Sequence, residues 1–521
     1  MVHRRSFAWL LLIALLVPIL VACGGGEGAA PAGTTGAASP SASPAASPAA
    51  SASPAASPSP AESPAATTEA SPAATTGAAA SPSATDTAAT GTAGGATGGG
   101  DESLIGAEPS AETAPAFAGA EQAKQYSGAT ITYYGDTVGI GANLDKALAD
   151  RFTQETGIKV NIVPKPQNAT ENYATYQRLF QAQSGDIDVL MVDVIWPGAF
   201  APHLADLTQA LGEEAKQHYP GIIQNNTIEG KLVAMPWFGD FGMLFYRTDL
   251  LQKYGYSAPP KTWDELEEMA KKIQDGERAS TPDFQGFVFQ GNAYEGLTCD
   301  ALEWLASSNG GTIIDEDGKV TVNNPQAVEI LNKARGWIGT ISPRGVTGYQ
   351  EEEARNTFQG GNAAFMRNWP YAYSAGNSAD SPIKGKFDVA PLPAAEDQKP
   401  VGTVGGWQLA VSNYSKNKDA AIEFVRYMTS PEVQTYRALI GSYVPTIASV
   451  AEDAAVIKAM PFLENLADVQ RVTRPSATTG ERYNEVSTAF FQGMNQILNG
   501  QDAAQVLPGV QQRIERIVGS R

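Results

Sequence analysis

Residues 129–192 set the architecture. Three short runs rich in β-branched and apolar residues, 129–134, 159–163 and 187–192, alternate with two segments of helical period, 143–155 and 172–183. In the first helical segment Leu144, Ala147, Leu148 and Phe152 recur on one face. The third run, Ile-Asp-Val-Leu-Met-Val, is almost continuously apolar, as a strand buried on both sides must be. This strand–helix–strand–helix–strand order predicts a parallel sheet covered by helices on both faces. Asp193 follows the third run directly, at the carboxyl end of a strand, where open α/β sheets place their ligands. Trp196 and Pro197 come next.

A second constraint lies at residues 231–249. Residues 232–235 and 243–246 read as short strands, and between them Pro236, Gly239 and Gly242 predict a bend. Asp240 stands there among Trp237, Phe238 and Phe241, and an apolar core has no use for its carboxylate. One reading is a bent strand with ordinary packing aromatics. The other is a crossing between two lobes that also lines a cleft, offering flat faces and an acid to a polyhydroxylated ligand. The rest of the chain favours the second.

Thr262-Trp263-Asp264-Glu265 is a capping box opening a helix, and Asn324-Pro325 starts another. Residues 286–290 read as a strand, and a helix follows Tyr294. Asp317-Gly318 signals a small hairpin between 312–314 and 319–322. A helix over 351–359 precedes a strand and an aromatic-rich turn ending at Tyr373. Residues 387–392 and 407–412 are two further strands separated by a Gly-bearing loop; 419–428 is a helix, and the remainder is mostly helical.

The chain has 521 residues, enough for more than one domain, and a net charge of −19 with no basic cluster, which excludes a nucleic-acid partner. His3, His203 and His218 are its only histidines, so no metal site and no cofactor is expected. Residues 1–22 read as a signal peptide: a His-Arg-Arg start, then an apolar run short for a membrane span. Leu20-Val21-Ala22-Cys23 resembles a bacterial lipobox, which makes Cys23 the acylated first residue of the mature chain. Cys299 is the other cysteine, leaving no intrachain disulfide. Residues 23–126 are dominated by Ala, Ser, Pro, Thr and Gly and predict a disordered tether. A linker of that length reaches roughly 50–60 Å.

From about residue 131 to its end the chain resembles the trehalose/maltose-type solute-binding proteins of ABC importers, extracellular family 1. The resemblance rests on stretches that recur in order: Gly230-Lys231-Leu232, Phe245-Tyr246-Arg247-Thr248-Asp249, Lys253-Tyr254-Gly255-Tyr256, Pro260-Lys261-Thr262-Trp263, Tyr294-Glu295-Gly296-Leu297, Asn368-Trp369-Pro370-Tyr371 and Gly405-Gly406-Trp407. It implies a two-lobe periplasmic-binding-protein-like α/β fold, type II and maltose-binding-protein-like, with a hinge between lobes. The first lobe would take 127–236 and 387–440, the second 237–386 and 441–521. It also implies ligand-binding roles: Asp193 on sugar hydroxyls, Phe238 and Asp240 at the lobe crossing, Trp369 and Tyr371 as a stacking wall, and Gly405, Gly406 and Trp407 as a floor. Glu295 and Arg474 complete the set. Phe238 stands where the family often carries Tyr, and Gly141 and Tyr176 stand at or near positions of a family Glu and Arg, which alters one end of the cleft.

The chemistry points the same way, since a pyranose offers an apolar C–H face and a rim of hydroxyls that aromatic planes and carboxylates match. The resulting expectation is a monomeric receptor for a di- or oligosaccharide, delivering it to ABC permease subunits and touching the membrane only through its lipid anchor. A surface glycoside hydrolase with Asp193, Asp240 and Glu295 as its acids, or an adhesin for wall polysaccharide, are the alternatives.

Overall fold

The computed structural model describes residues 100–466 and 469–519. The signal peptide expected over residues 1–22, the acylation expected at Cys23 and the part of the expected tether up to residue 99 lie outside the described residues. Two sheets organise the rest. The first is built from β1 (Thr130–Gly135), β2 (Lys159–Pro164) and β3 (Val189–Asp193), with β1 parallel to both neighbours. The intervening helices, Gly141–Thr156 and Ala169–Gln181, fall where the apolar period placed them. The chain next forms β4 (Met235–Phe241) and β5 (Met243–Arg247). It then adds β6 (Gln285–Val288), β7 (Ala363–Asn368), β8 (Phe387–Ala390), β9 (Val401–Val411) and β10 (Gln470–Val472).

The second sheet has the order β8-β5-β7-β6. The long strand β9 belongs to the first sheet, antiparallel to β3 on one side and to β4 on the other, and parallel to β10. Each sheet has its own core. One gathers Tyr133, Leu148, Phe152, Met191, Leu409 and Phe424; the other gathers Leu244, Trp263, Phe287, Trp304, Trp337 and Phe490.

Five expectations change. The bend expected over 236–242 is strand β4, and the Gly-bearing loop before Trp407 is the first half of β9. Pro236 is tolerated because the ladder skips a residue there: Trp407 pairs with Phe238 but Gln408 pairs with Pro236, so Trp237 is a bulge beside the residue that has no N–H. The strand over 387–390 pairs with β5, so it belongs to the second sheet and not to the first lobe, where the sequence had put it. The hairpin near Asp317 reduces to one bridge between Ile314 and Val320.

The fifth change concerns the tether. Ordered structure reaches back to Gly100, not to residue 127. Glu102–Leu104 and Lys124–Tyr126 are 3-10 turns and Ala120–Ala123 a helical turn. Phe117 is buried between Phe152 (5.6 Å between ring centroids) and Tyr427 (5.4 Å), and its N–H donates to Glu155 (2.7 Å). The Tyr427 hydroxyl donates to the Pro115 carbonyl (2.7 Å). An average composition rich in Ala, Ser and Pro conceals the few anchors, the buried Phe117 with the partly buried Leu104 and Tyr126, that offset the ordering entropy. Phe117→Ala should therefore cost about 3–5 kcal/mol of stability, read as a lower midpoint in denaturant. A midpoint equal to the parent's would return residues 100–126 to the tether.

Candidate ligand-binding cleft

A cavity of about 700 Å³, its open mouth included, lies between the two sheets. All ten residues singled out as ligand-binding line it: Asp193, Phe238, Asp240, Glu295, Trp369, Tyr371, Gly405, Gly406, Trp407 and Arg474. They converge because strand ends deliver them. Asp193 closes β3, Asp240 and Phe238 lie on β4, the Gly-Gly-Trp triplet lies on β9, and Trp369 follows β7.

Arg474 ties the two sides together. It donates from Nη2 to Asp193 Oδ1 (2.7 Å) and from Nη1 to Asp193 Oδ2 (3.1 Å), and Nη1 also reaches Glu295 Oε1 (3.0 Å). Glu295 opens the helix Glu295–Ala306 and also receives the hydroxyls of Tyr483 and Ser487 (2.7 Å for Ser487). Asp193, assigned to sugar hydroxyls by resemblance, thus already holds a bidentate guanidinium. Burial pushes the Glu295 carboxyl up from its ordinary range, against the opposing pull of the Arg474 charge.

Trp369 is fixed from behind. The Arg367 guanidinium lies 3.9 Å from its ring centroid and is anchored by Glu303 (2.6 and 2.9 Å) and Asp300 (3.0 Å). The Tyr371 hydroxyl donates to Glu352 (2.7 Å), which holds the second ring of that wall.

The glycines of β9 answer to packing first. At Gly406, whose φ is +126°, a Cβ would lie 2.7 Å from the Phe238 carbonyl oxygen; at Gly405 it would meet Asp240 at 3.1 Å and Trp369 at 3.2 Å. No side chain larger than hydrogen lets β4 and Trp369 come this close.

Asp240 is the acid without a partner. No hydrogen-bond donor among the described residues reaches its carboxylate, and burial raises its pKa well above the usual range, helped by the charges of Asp136 and Asp193. Its neighbours therefore favour the protonated acid or a ligand that supplies donors.

Sequence reasoning missed Asp136, Lys165, Glu351 and Tyr443, all in the cavity wall. Asp136 was findable, since it directly follows β1 where Asp193 ends β3, each at a strand's carboxyl end. It also accounts for Gly141, where a Cβ would lie 2.3 Å from Asp136 Oδ2: the acid fills the space beside the glycine. Tyr176, by contrast, is core, its hydroxyl donating to the Met191 carbonyl (2.7 Å).

Two α/β lobes with an acid- and tryptophan-lined cleft between them define a two-lobe binding protein. The chain belongs to the bacterial extracellular solute-binding protein family, whose pattern it matches over residues 134–435. A probable ABC transporter-binding protein of Deinococcus radiodurans is 52% identical over 408 residues, 78% of this chain and 96% of that one. Among solved structures, maltose-bound T. maritima MalE3 is 40% identical with a TM-score of 0.71, covering 75% of this chain and all (100%) of that one. The GacH receptor of Streptomyces glaucescens, described unliganded and with acarbose, is 25% identical with a TM-score of 0.65, over 75% of this chain and 98% of that one. Membership in a family of binding proteins is the ground for setting the glycoside hydrolase aside.

The state of Asp240 gives a pH signature. Below about pH 3.8 its carboxyl is neutral in both folded and unfolded chains and does not affect stability. Above that value the unfolded chain ionises freely while the folded one resists, so the parent loses stability as pH rises. Asp240→Asn should raise the melting temperature at pH 7 by about 2 °C or more, and the difference should vanish toward pH 3.5–4. A variant that is less stable at pH 7 would contradict this electrostatic account.

Proposed function

We propose that the protein is the sugar receptor of an ABC importer, capturing a neutral α-glucosyl disaccharide, maltose or trehalose, between its lobes and passing it to the permease. The observation that carries this reading is the pairing of an unpartnered acid, Asp240, with a tryptophan, Trp369, that is braced on one face by Arg367 in the same cleft. An acid lacking donors calls for hydroxyls, and a ring held rigidly offers an apolar plane for a pyranose. Five carboxylates, Asp136, Asp193, Asp240, Glu295 and Glu351, face two cations, Lys165 and Arg474, across this cavity. That balance disfavours an anionic ligand, because like charges out of water repel strongly at short range. The maltose in the MalE3 structure supports the same ligand class.

The same proposal includes the lobe division read from the sequence, with residues 387–390 moved to the second lobe, and the ligand roles of the ten cleft residues. It also includes a monomeric, extracytoplasmic lipoprotein anchored at Cys23 after removal of residues 1–22. No helix among the described residues is long and apolar enough to cross a membrane, so in this reading the lipid holds the receptor near its permease.

Calorimetry with maltose and trehalose tests the ligand. The parent should bind at least one saturably. Asp240→Ala should weaken binding by about ten- to a hundred-fold through a lost charged hydrogen bond, and Trp369→Ala by up to about ten-fold through lost stacking. A parent that ignores both sugars yet binds a peptide or polyamine would overturn the assignment.

A further inference from the structure

Lys165 is buried in the cleft wall, with a side chain only 1% exposed. It follows β2 directly, and its N–H donates to the Gly135 carbonyl (3.2 Å), which sets it level with Asp136 at the end of the neighbouring strand. Its ammonium lies 3.8 Å from Asp136 Oδ1, too far for a hydrogen bond, and 4.6 Å from the ring centroid of Trp407. Asp136 is occupied elsewhere: Oδ1 accepts from the N–H groups of Thr137 (2.8 Å) and Val138 (3.2 Å), and Oδ2 from the Tyr443 hydroxyl (3.1 Å). No acceptor among the described residues takes a hydrogen bond from Nζ.

An ammonium has three donors and tolerates burial only when charge and acceptors compensate it. Asp136 and the face of Trp407 supply the electrostatic compensation. The acceptors are missing from the protein, and the cavity is where they would enter. Trp407 is also committed, its ring carrying Nζ over one face and meeting Trp196 edge-on at 5.5 Å and 89°. The face bearing the ammonium cannot stack a pyranose at the same time.

From this geometry we propose that Lys165 is a specificity-determining residue of the cleft, donating to a hydroxyl oxygen of the sugar ring at the Trp407 end, while Trp407 serves as its cation platform and Trp369 as the stacking surface. The inference rests on the sugar-receptor reading and deepens it, because it names the residue that reads one hydroxyl position. Neither Lys165 nor Asp136 came from the resemblance; both come from the orphaned donors.

The test is calorimetry on the full-length protein with maltose and a set of mono-deoxy maltoses. For the parent, removing one particular hydroxyl should cost at least ten-fold in affinity. Lys165→Met should lose about ten- to a hundred-fold for maltose, with an unchanged circular dichroism spectrum, and should no longer distinguish maltose from that one deoxy analogue. It should keep the parent's penalties at the other positions, which a general loss of packing would not do. A folded Lys165→Met that binds maltose and every analogue as the parent does overturns the inference. Should Lys165→Met fail to fold, Lys165→Arg decides: its displaced donors should change the penalty at that same position, and an unaltered profile is again a refutation. If the parent binds trehalose and not maltose, the same comparison is made with mono-deoxy trehaloses; if it binds neither sugar, it is the receptor reading that fails.

Discussion

The backbone ladder between β4 and β9 is the constraint on which the rest depends. Met235–Phe241 runs antiparallel to Val401–Val411, and the pairing sets Gly405 opposite Asp240, Gly406 opposite Gly239 and Trp407 opposite Phe238. The same strand β9 pairs on its other side with β3, placing Trp407 opposite Asp193. One strand thus sets two cleft acids, Asp193 and Asp240, and two aromatics, Phe238 and Trp407, in register with each other. The cost of that closeness is paid in glycine, since the Phe238 carbonyl leaves room for no Cβ at Gly406. Immediately after β4 the chain enters β5 of the second sheet, so the ladder also fixes where the second lobe begins.

Around that ladder, charge is arranged in two ways. In and behind the walls two arginines are matched by acids, Arg367 between Asp300 and Glu303 and Arg474 between Asp193 and Glu295, while Arg437 is buried against the rings of Trp237, Phe238 and Tyr443 with no hydrogen-bond acceptor among the described residues. Removing one member of such a buried pair strands the other, which makes these groups rigid supports more than sources of net stability. Inside the cavity the matching stops at Asp240 and Lys165, one short of donors and the other short of acceptors. A neutral polyol, which carries both on each hydroxyl, complements the two together where an ion complements only one.

Much of this was legible in the sequence. Asp193 was readable because a near-continuous apolar run announces a buried strand, and its carboxyl end is where ligands gather. Trp369, Tyr371 and the Gly-Gly-Trp triplet were readable from resemblance, and the structure brings all of them to one cavity. Lys165 was not, because a lysine one residue after an exposed-looking strand carries no sign that it is buried; only the register of β1 with β2 puts it beside Asp136. The ordered stretch 100–126 escaped for a different reason, its few anchors, Phe117 with Leu104 and Tyr126, being lost among small residues. The strand assignment of Phe387–Ala390 escaped because partner choice between two sheets is set by long-range pairing, which local composition does not encode.

The central claim is that the cleft between the sheets is a sugar site in which each orphaned group finds its complement. A crystal structure of the protein with maltose tests it most directly. The account predicts a pyranose ring on the open face of Trp369, hydroxyls donating to Asp240, and a hydroxyl oxygen within hydrogen-bond distance of Lys165 Nζ. Maltose seated elsewhere, or lying in the cleft with Asp240 and Lys165 both still unpartnered, would contradict it.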